Sequence, residues 1–277
     1  MKLDKEKFRS DLFEFYKDYY QKQLGLKDWV NRSHLRENEE EVFGRRVVNW
    51  TQEVFGFDYS DNAKVLVVGC GTGAEVCALH SVGAEVYGVD VNPNAVAIAR
   101  EALRFSGLSI ADCNHRIQEA RAEDLPFSDE MFDYVICYTV LEHVADVGEC
   151  LREMLRTKKR EGLIYICIPD YGQLYEGHYK LPLPMFLPKI FSLFILILAG
   201  RPARFLGTLN VIKPQEIQRW SQEHDLIACR YYLFDGVLDL DKRSICSFLI
   251  SLIRKFLFDV FGSRLNQHWV LLPSKRR

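Results

Sequence analysis

Gly69, Gly71 and Gly73 alternate with small residues directly after the apolar run Val65-Leu66-Val67-Val68. Glycine lacks a Cβ, so it accepts positive φ and lets a ligand lie against the main chain. A buried strand, a glycine turn and a helix N-terminus together form a cradle for a nucleoside cofactor. An ordinary tight turn is the plainer reading, but it needs only one glycine. Asp90 follows at roughly the 20-residue spacing expected of a ribose-binding acid. Its carboxylate can accept hydrogen bonds from both ribose hydroxyls. Helix N-capping ahead of Pro93 is the competing role, for which Asn92 is better placed. Two histidines are candidates for proton transfer, because imidazole titrates near neutral pH. His143 lies just past a predicted strand on the cofactor side. His178 sits within Tyr175-Glu176-Gly177-His178-Tyr179, where an irregular segment opens. A packing role for His143 and a plain loop role for His178 are the alternatives. Asp170 ends a strand and either faces substrate or shapes a turn beside Gly172.

These residues need elements to hold them. Apolar runs predict strands over 64–68, 85–89, 114–119, 132–138 and 162–168, with helices over 74–81, 94–105 and 147–157 between them. Pro93 suits the first turn of the second of these helices. Near-continuous apolar strands alternating with helices imply a mainly parallel sheet covered on both faces. With late strands over 228–234 and 267–272, the expected fold is α/β: a Rossmann-like, doubly wound, mainly parallel seven-stranded sheet. Helices over 8–24 and 39–55 form an N-terminal helical cap within residues 1–60, and the cofactor domain occupies 61–277. Two apolar insertions interrupt it. One spans about 171–212, with prolines at 182, 184, 188 and 202. The other spans about 240–262 and holds an apolar helix over 245–261 that contains Arg254 and Lys255. Apolar segments edged by cations suit an anionic membrane surface. They equally suit a substrate lid, a core or a dimer face.

The chain has 277 residues, 48% hydrophobic and 27% charged, as in a soluble globular protein. A net charge of −2 argues against general nucleic-acid binding. None of the eight cysteines forms a CxxC pair, and the Cys/His spacings are wrong for zinc, so reduced thiols and no metal are expected. Residues 1–9 are charged and carry no signal core, so no export is expected. The apolar run 190–200 is too short to span a bilayer, which takes about 20 residues. The expected location is cytoplasmic, with peripheral contact at the inner membrane face tied to the membrane reading of the insertions.

Gly69-x-Gly71-x-x-Ala74 also satisfies the dinucleotide pattern, so the cradle alone does not separate NAD from other adenosine cofactors. Three downstream segments have no place in that pattern: Arg121-Ala122-Glu123-Asp124-Leu125-Pro126-Phe127, Phe132-Asp133-Tyr134-Val135 and Leu141-Glu142-His143-Val144. With the glycine loop they resemble the class I S-adenosylmethionine (SAM)-dependent methyltransferases, in the broad group that includes quinone-biosynthesis enzymes. The resemblance covers about residues 65–170. It implies that Gly69, Gly71 and Gly73 abut the methionine part of SAM, and that Asp90 binds the ribose with Val91 packed on the adenine. It further implies that Ala122 and Glu123 flank the adenine, and that Cys137 and Tyr138 lie beneath the sulfonium through backbone and packing. Val67 and Arg121 stand where the family usually carries acids. The leading expectation is a SAM-dependent methyltransferase with a small or lipid-linked, amphipathic acceptor. A non-catalytic binding protein on the same fold is the alternative that Val67 and Arg121 support, and an NAD-linked oxidoreductase is a third.

Overall fold

The computed structural model describes residues 4–60, 62–172, 175–231 and 266–274. Its centre is a seven-stranded sheet in the order β3-β2-β1-β4-β5-β9-β8. The strands are β1 (Lys64–Val68), β2 (Glu85–Asp90), β3 (Ile117–Glu119), β4 (Phe132–Tyr138), β5 (Lys158–Pro169), β8 (Leu226–Tyr231) and β9 (Asn266–Pro273). β1 to β5 pair in parallel, whereas β9 runs antiparallel to β5 and to β8. The chain moves from β1 outward to β2 and β3, then returns to place β4 on the other side of β1. That reversal opens a crevice at the carboxyl ends of β1 and β4, where ligands bind in such sheets. β1 is buried at Val65 to Val68 because helices cover both faces. One core layer holds Val65, Val67 and Ile136, and the other holds Leu66, Val68 and Val135.

Most elements fall where apolar periodicity puts them. Helix α3 (Ala74–Ser81) follows the glycine loop. Helix α4 (Pro93–Phe105) buries Ala95, Val96, Ile98, Ala99 and Leu103, a helical stripe. The Asn92 side chain accepts from the backbone N–H groups of Asn94 and Ala95, so Asn92, not Asp90, caps this helix. Helix α6 (Val147–Thr157) is capped by Asp146 in the same way.

Four expectations need correction. The strand over 114–119 is mostly helix α5 (Ile110–Arg116), which Ser109 caps by accepting from Asp112 N–H; only Ile117–Glu119 pairs with the sheet. Helix α2 (Trp29–Asn49) starts well before residue 39. Its early turns lack an apolar stripe, but Phe13 of helix α1 (Lys5–Lys17) packs on Trp29 and His34 and supplies the tertiary support. β5 starts at Lys158, earlier than 162, because Lys158 pairs with Phe132. The segment 171–212 is not wholly irregular. It forms a hairpin of β6 (Tyr175–Glu176) and β7 (Leu181–Pro182), then helices α7 (Lys189–Leu198) and α8 (Arg204–Gly207). Pro188 ends the extended stretch at the N-cap of α7, so it starts this helix instead of breaking it. Helix α9 (Pro214–Glu223) returns the chain to the sheet. The predicted insertion at 240–262 and its helix lie outside the described residues.

Candidate active site

The three glycines do different things. All have positive φ, 70° at Gly69, 50° at Gly71 and 95° at Gly73. A Cβ at Gly69 would lie 2.2 Å from Val140 Cγ2, and one at Gly73 would lie 3.0 Å from the Ala99 backbone. These two let the loop pack against the end of β4 and against α4. A Cβ at Gly71 would meet nothing within 4 Å, so Gly71 faces open space. Asp90 joins this loop to the next one. Its Oδ2 accepts from Gly71 N–H and its Oδ1 from Asn92 N–H, both at 2.9 Å. Each carboxylate oxygen keeps a second lone pair for a ligand hydroxyl.

A cavity of about 1170 Å³ lies between α1, the end of β2 and α4. Of the residues singled out from sequence, Asp90, Val91 and His143 line it. Val91 is 65% exposed, an apolar side chain on the cavity lip. Ala122, Glu123, Cys137 and Tyr138 are not among the lining residues. Glu123 Oε1 instead accepts from Ala145 and Asp146 N–H, tying its loop to the start of α6. Cys137 is fully buried in one core layer, and burial pushes its thiol well up. Tyr138 packs against the other layer, its ring 6.3 Å from Trp50.

The sequence offers Tyr16, Tyr19 and Tyr20 as a lid over the cofactor, with helix packing as the competing role, but it does not single out the rest of this wall. Phe8, Phe15 and Tyr19 from the N-terminal helices and Phe205 from α8 line the cavity. Tyr16 reaches the glycine loop, its hydroxyl 2.8 Å from Thr72 Oγ1. The Arg36 guanidinium lies 4.6 Å from the Tyr16 ring centroid and donates to its hydroxyl. The aromatic density of residues 8–20 was the available signal, but core packing predicts the same density.

Behind Phe205 the hairpin brings His178 to His143, with ring centroids 5.3 Å apart. Each ring also contacts Phe205. Burial, with His178 adding repulsion, lowers His143 to a pKa of about 4, so it is neutral at neutral pH. His178 Nδ1 is 2.6 Å from Glu176 Oε1. The Glu176 side chain is buried, which alone would raise its pKa. The hydrogen bonds from His178 and from the Tyr179 N–H outweigh this and hold it below the usual range. Glu142 is fully buried, neither oxygen has a hydrogen-bond partner, and burial raises its pKa to about 7. Asp170 is a turn residue: Oδ1 accepts from Gly172 N–H at 3.1 Å, and it does not line the cavity.

A family model for the methyltransferase domain matches residues 66–166. A demethylmenaquinone methyltransferase of Staphylococcus aureus is 30% identical over 185 residues, covering 62% of this chain and 71% of that protein. A ubiquinone biosynthesis O-methyltransferase of Pseudomonas fluorescens is 36% identical over 184 residues, covering 65% and 69%. The chain spans 62% of the demethylmenaquinone methyltransferase of Bacillus cytotoxicus, at 33% identity. The chain belongs to the class I SAM-dependent methyltransferases. A solved SAM-dependent methyltransferase from Archaeoglobus fulgidus shares the fold, with a TM-score of 0.53 at 14% identity, covering 84% of this chain and 94% of that one.

The cofactor of this methyltransferase is SAM, and the cavity suits it. Gly71 leaves room for a chain to lie along the backbone. Val91 offers an apolar surface at the lip, and Asp90 has free lone pairs beside it. Asp4, Asp11, Glu14, Asp18 and Glu101 also line the cavity, and Lys7 is the one lysine or arginine among the described lining residues. That charge balance favours a cationic ligand. When bound, SAM supplies an electrophilic methyl group on sulfur. The chain must align an acceptor with that methyl group and exclude water. The aromatic side chains of α1 and Phe205 wall the cavity and serve the second need.

Proposed function

We propose that this methyltransferase acts on a small, amphipathic, lipid-linked acceptor that it meets at a membrane surface. The observation that carries the proposal is the outer face of α7. Ile190, Phe191, Phe194, Ile197 and Leu198 are 53–72% exposed and fall on one helical face. Phe186 and Leu187 extend it. An exposed apolar patch of this kind marks an interaction surface. The inner face buries Ser192 and Leu196, and Leu196 shares a cluster with Tyr19 and Phe205 of the cavity wall. From Gly177 to Gln215 the sequence has no aspartate or glutamate but carries Lys180, Lys189, Arg201, Arg204 and Lys213. Cations around an apolar face suit an anionic bilayer. No helix among the described residues is long and apolar enough to cross a membrane. That reading puts the protein at the inner membrane face. The relatives named for demethylmenaquinone and ubiquinone biosynthesis point the same way, toward prenylated aromatic acceptors.

In this reading α1 and α2 cap the cofactor, which Gly71, Asp90 and Val91 hold. Gly69, Gly73, Ala122 and Glu123 shape the loops around it, and Cys137 and Tyr138 end the strand β4 beside it. Proton removal from an acceptor hydroxyl falls to the His143–His178 pair. His143 is neutral and on the cavity wall, and His178 is oriented by Glu176. The test is methyl transfer from radiolabelled SAM to prenylated phenols and to their unprenylated analogues, with and without anionic vesicles. Prenylated acceptors should react faster, and vesicles should raise the rate. Equal rates for the unprenylated compounds in free solution would overturn the lipid-linked reading.

A further inference from the structure

We infer that Glu142, His143 and His178 form a binding site for one first-row divalent transition cation, with Glu176 fixing the His178 ring. The inference goes beyond methyl transfer and does not depend on the identity of the acceptor. One ligand atom from each of the three residues lies within 4.8 Å of the others. Two imidazoles and one carboxylate are a ligand set that suits zinc, cobalt or iron(II), with coordination positions left over.

The decisive observation is Glu142. Its side chain has no exposure, and neither carboxylate oxygen has a hydrogen-bond partner. Buried carboxylates are normally paired, hydrogen-bonded or bound to a metal, because losing hydration costs several kcal/mol. The nearest cationic candidate, His143 Nε2, is 4.0 Å from Glu142 Oε1, beyond hydrogen-bond distance. A divalent ion would give the buried carboxylate a partner and take an imidazole nitrogen from His143 and from His178.

The second observation is the geometry behind His178. Metal-bound histidines nearly always donate their other ring N–H to a carboxylate, a backbone carbonyl or water, which fixes the tautomer. Glu176 occupies that place. It is buried, is 2.6 Å from His178 Nδ1, and is itself held by the Tyr179 N–H at 2.8 Å. With Nδ1 as donor, Nε2 keeps its lone pair for the ion. The site joins the Glu142-His143 pair after β4 to the hairpin of the 171–212 segment, so it also ties the apolar segment to the sheet. Tetrahedral zinc ligands sit roughly 3.4 Å apart, given bonds of about 2.0–2.1 Å. The side chains therefore draw together by on the order of 1 Å on binding. His143 lines the cofactor cavity. An open position on the ion on that side would take an acceptor oxygen and acidify its hydroxyl. In the loaded protein the histidines are then ligands, not bases.

The test is calorimetry of the full chain, stripped with chelator, titrated with zinc chloride, and a visible absorption spectrum with cobalt(II). Wild type should take up one equivalent and show the intense absorption of low-coordinate cobalt. Glu142→Gln and His178→Ala should each weaken zinc binding by at least 100-fold and abolish the cobalt band. Glu176→Gln should weaken it by about 10-fold to 100-fold, the usual effect of losing an outer carboxylate. Binding of S-adenosylhomocysteine and circular dichroism serve as fold checks on every variant. The buried cysteines are the competing ligands. Zinc uptake unchanged in both Glu142→Gln and His178→Ala, or no uptake by wild type at 100 μM zinc, would overturn the inference. Metal binding and methyl transfer are read separately, so failure of one leaves the other measurable.

Discussion

The two walls of the cavity are built on opposite principles. The cofactor wall consists of short loops at the carboxyl ends of β1 and β2, and its polar atoms are paired: both Asp90 oxygens accept backbone N–H groups. The facing side comes from the 171–212 segment and the loop after β4, and it leaves one buried carboxylate and one apolar helix face unsatisfied. Glu142 has no hydrogen-bond partner, and α7 turns a row of large apolar side chains to solvent. A paired wall is preorganised and needs nothing further to keep its shape. An unsatisfied wall stores free energy that a ligand, an ion or a surface can release on binding.

The largest expected effect tests the unsatisfied wall by pH. Burial raises Glu142 to a pKa of about 7 in the folded protein, from an ordinary value of 4.5. The folded state therefore holds a proton that the unfolded state has released, so this group's contribution to stability falls as pH rises from 4.5 to 7. Glu142→Gln should remove that slope and raise stability near pH 7 by on the order of 3 kcal/mol, read by urea denaturation across the range. His143, lowered to about 4, works in the opposite sense: its contribution is lost as pH falls from 6.5 to 4. A loss of stability in Glu142→Gln near pH 7 would mean that the buried carboxylate has a partner in solution, which is also the outcome expected if a cation copurifies.

The paired wall predicts a contrast between neighbouring glycines. Gly69→Ala places a Cβ against Val140 at positive φ and should cost about 3 kcal/mol of stability, from strain plus overpacking. Gly71→Ala carries only the backbone strain, about 1–2 kcal/mol, because its Cβ enters open space. It should nonetheless weaken S-adenosylhomocysteine binding at least tenfold if the cofactor occupies that space as proposed. Asp90→Ala should weaken the same binding by about 2 kcal/mol, the value of charge-assisted hydrogen bonds. If Asp90→Ala binds as wild type does, its carboxylate serves only the two loops that it joins.

The smallest effect on stability belongs to α7. Phe191→Asp with Phe194→Asp changes exposed positions and should shift stability by only about 0.5 kcal/mol or less per site. The same pair should abolish cosedimentation with anionic vesicles and leave S-adenosylhomocysteine affinity unchanged. Retained sedimentation would remove the support for a membrane-facing surface. A change from dimer to monomer in the double variant would assign the face to a second copy of the chain.

The sequence by itself determined the parallel sheet, the glycine turn after β1 and the family. Each is a local pattern: a buried strand requires a continuous apolar run, and a tight turn with positive φ requires glycine. It also placed α4 and α6, where a cap residue precedes an amphipathic stripe. It could not separate the three glycines, because Val140 and Ala99, the atoms that make Gly69 and Gly73 obligatory, arrive from distant parts of the chain. Only the tertiary structure joined His143 to His178 and left Glu142 buried between them. Residues far apart in sequence become neighbours there through the β6–β7 hairpin, and burial, not residue type, shifts their proton affinities. The outward face of α7 was decided in the same way. Its composition fits a core as well as a surface, and what packs against each side chain is a property of the fold alone.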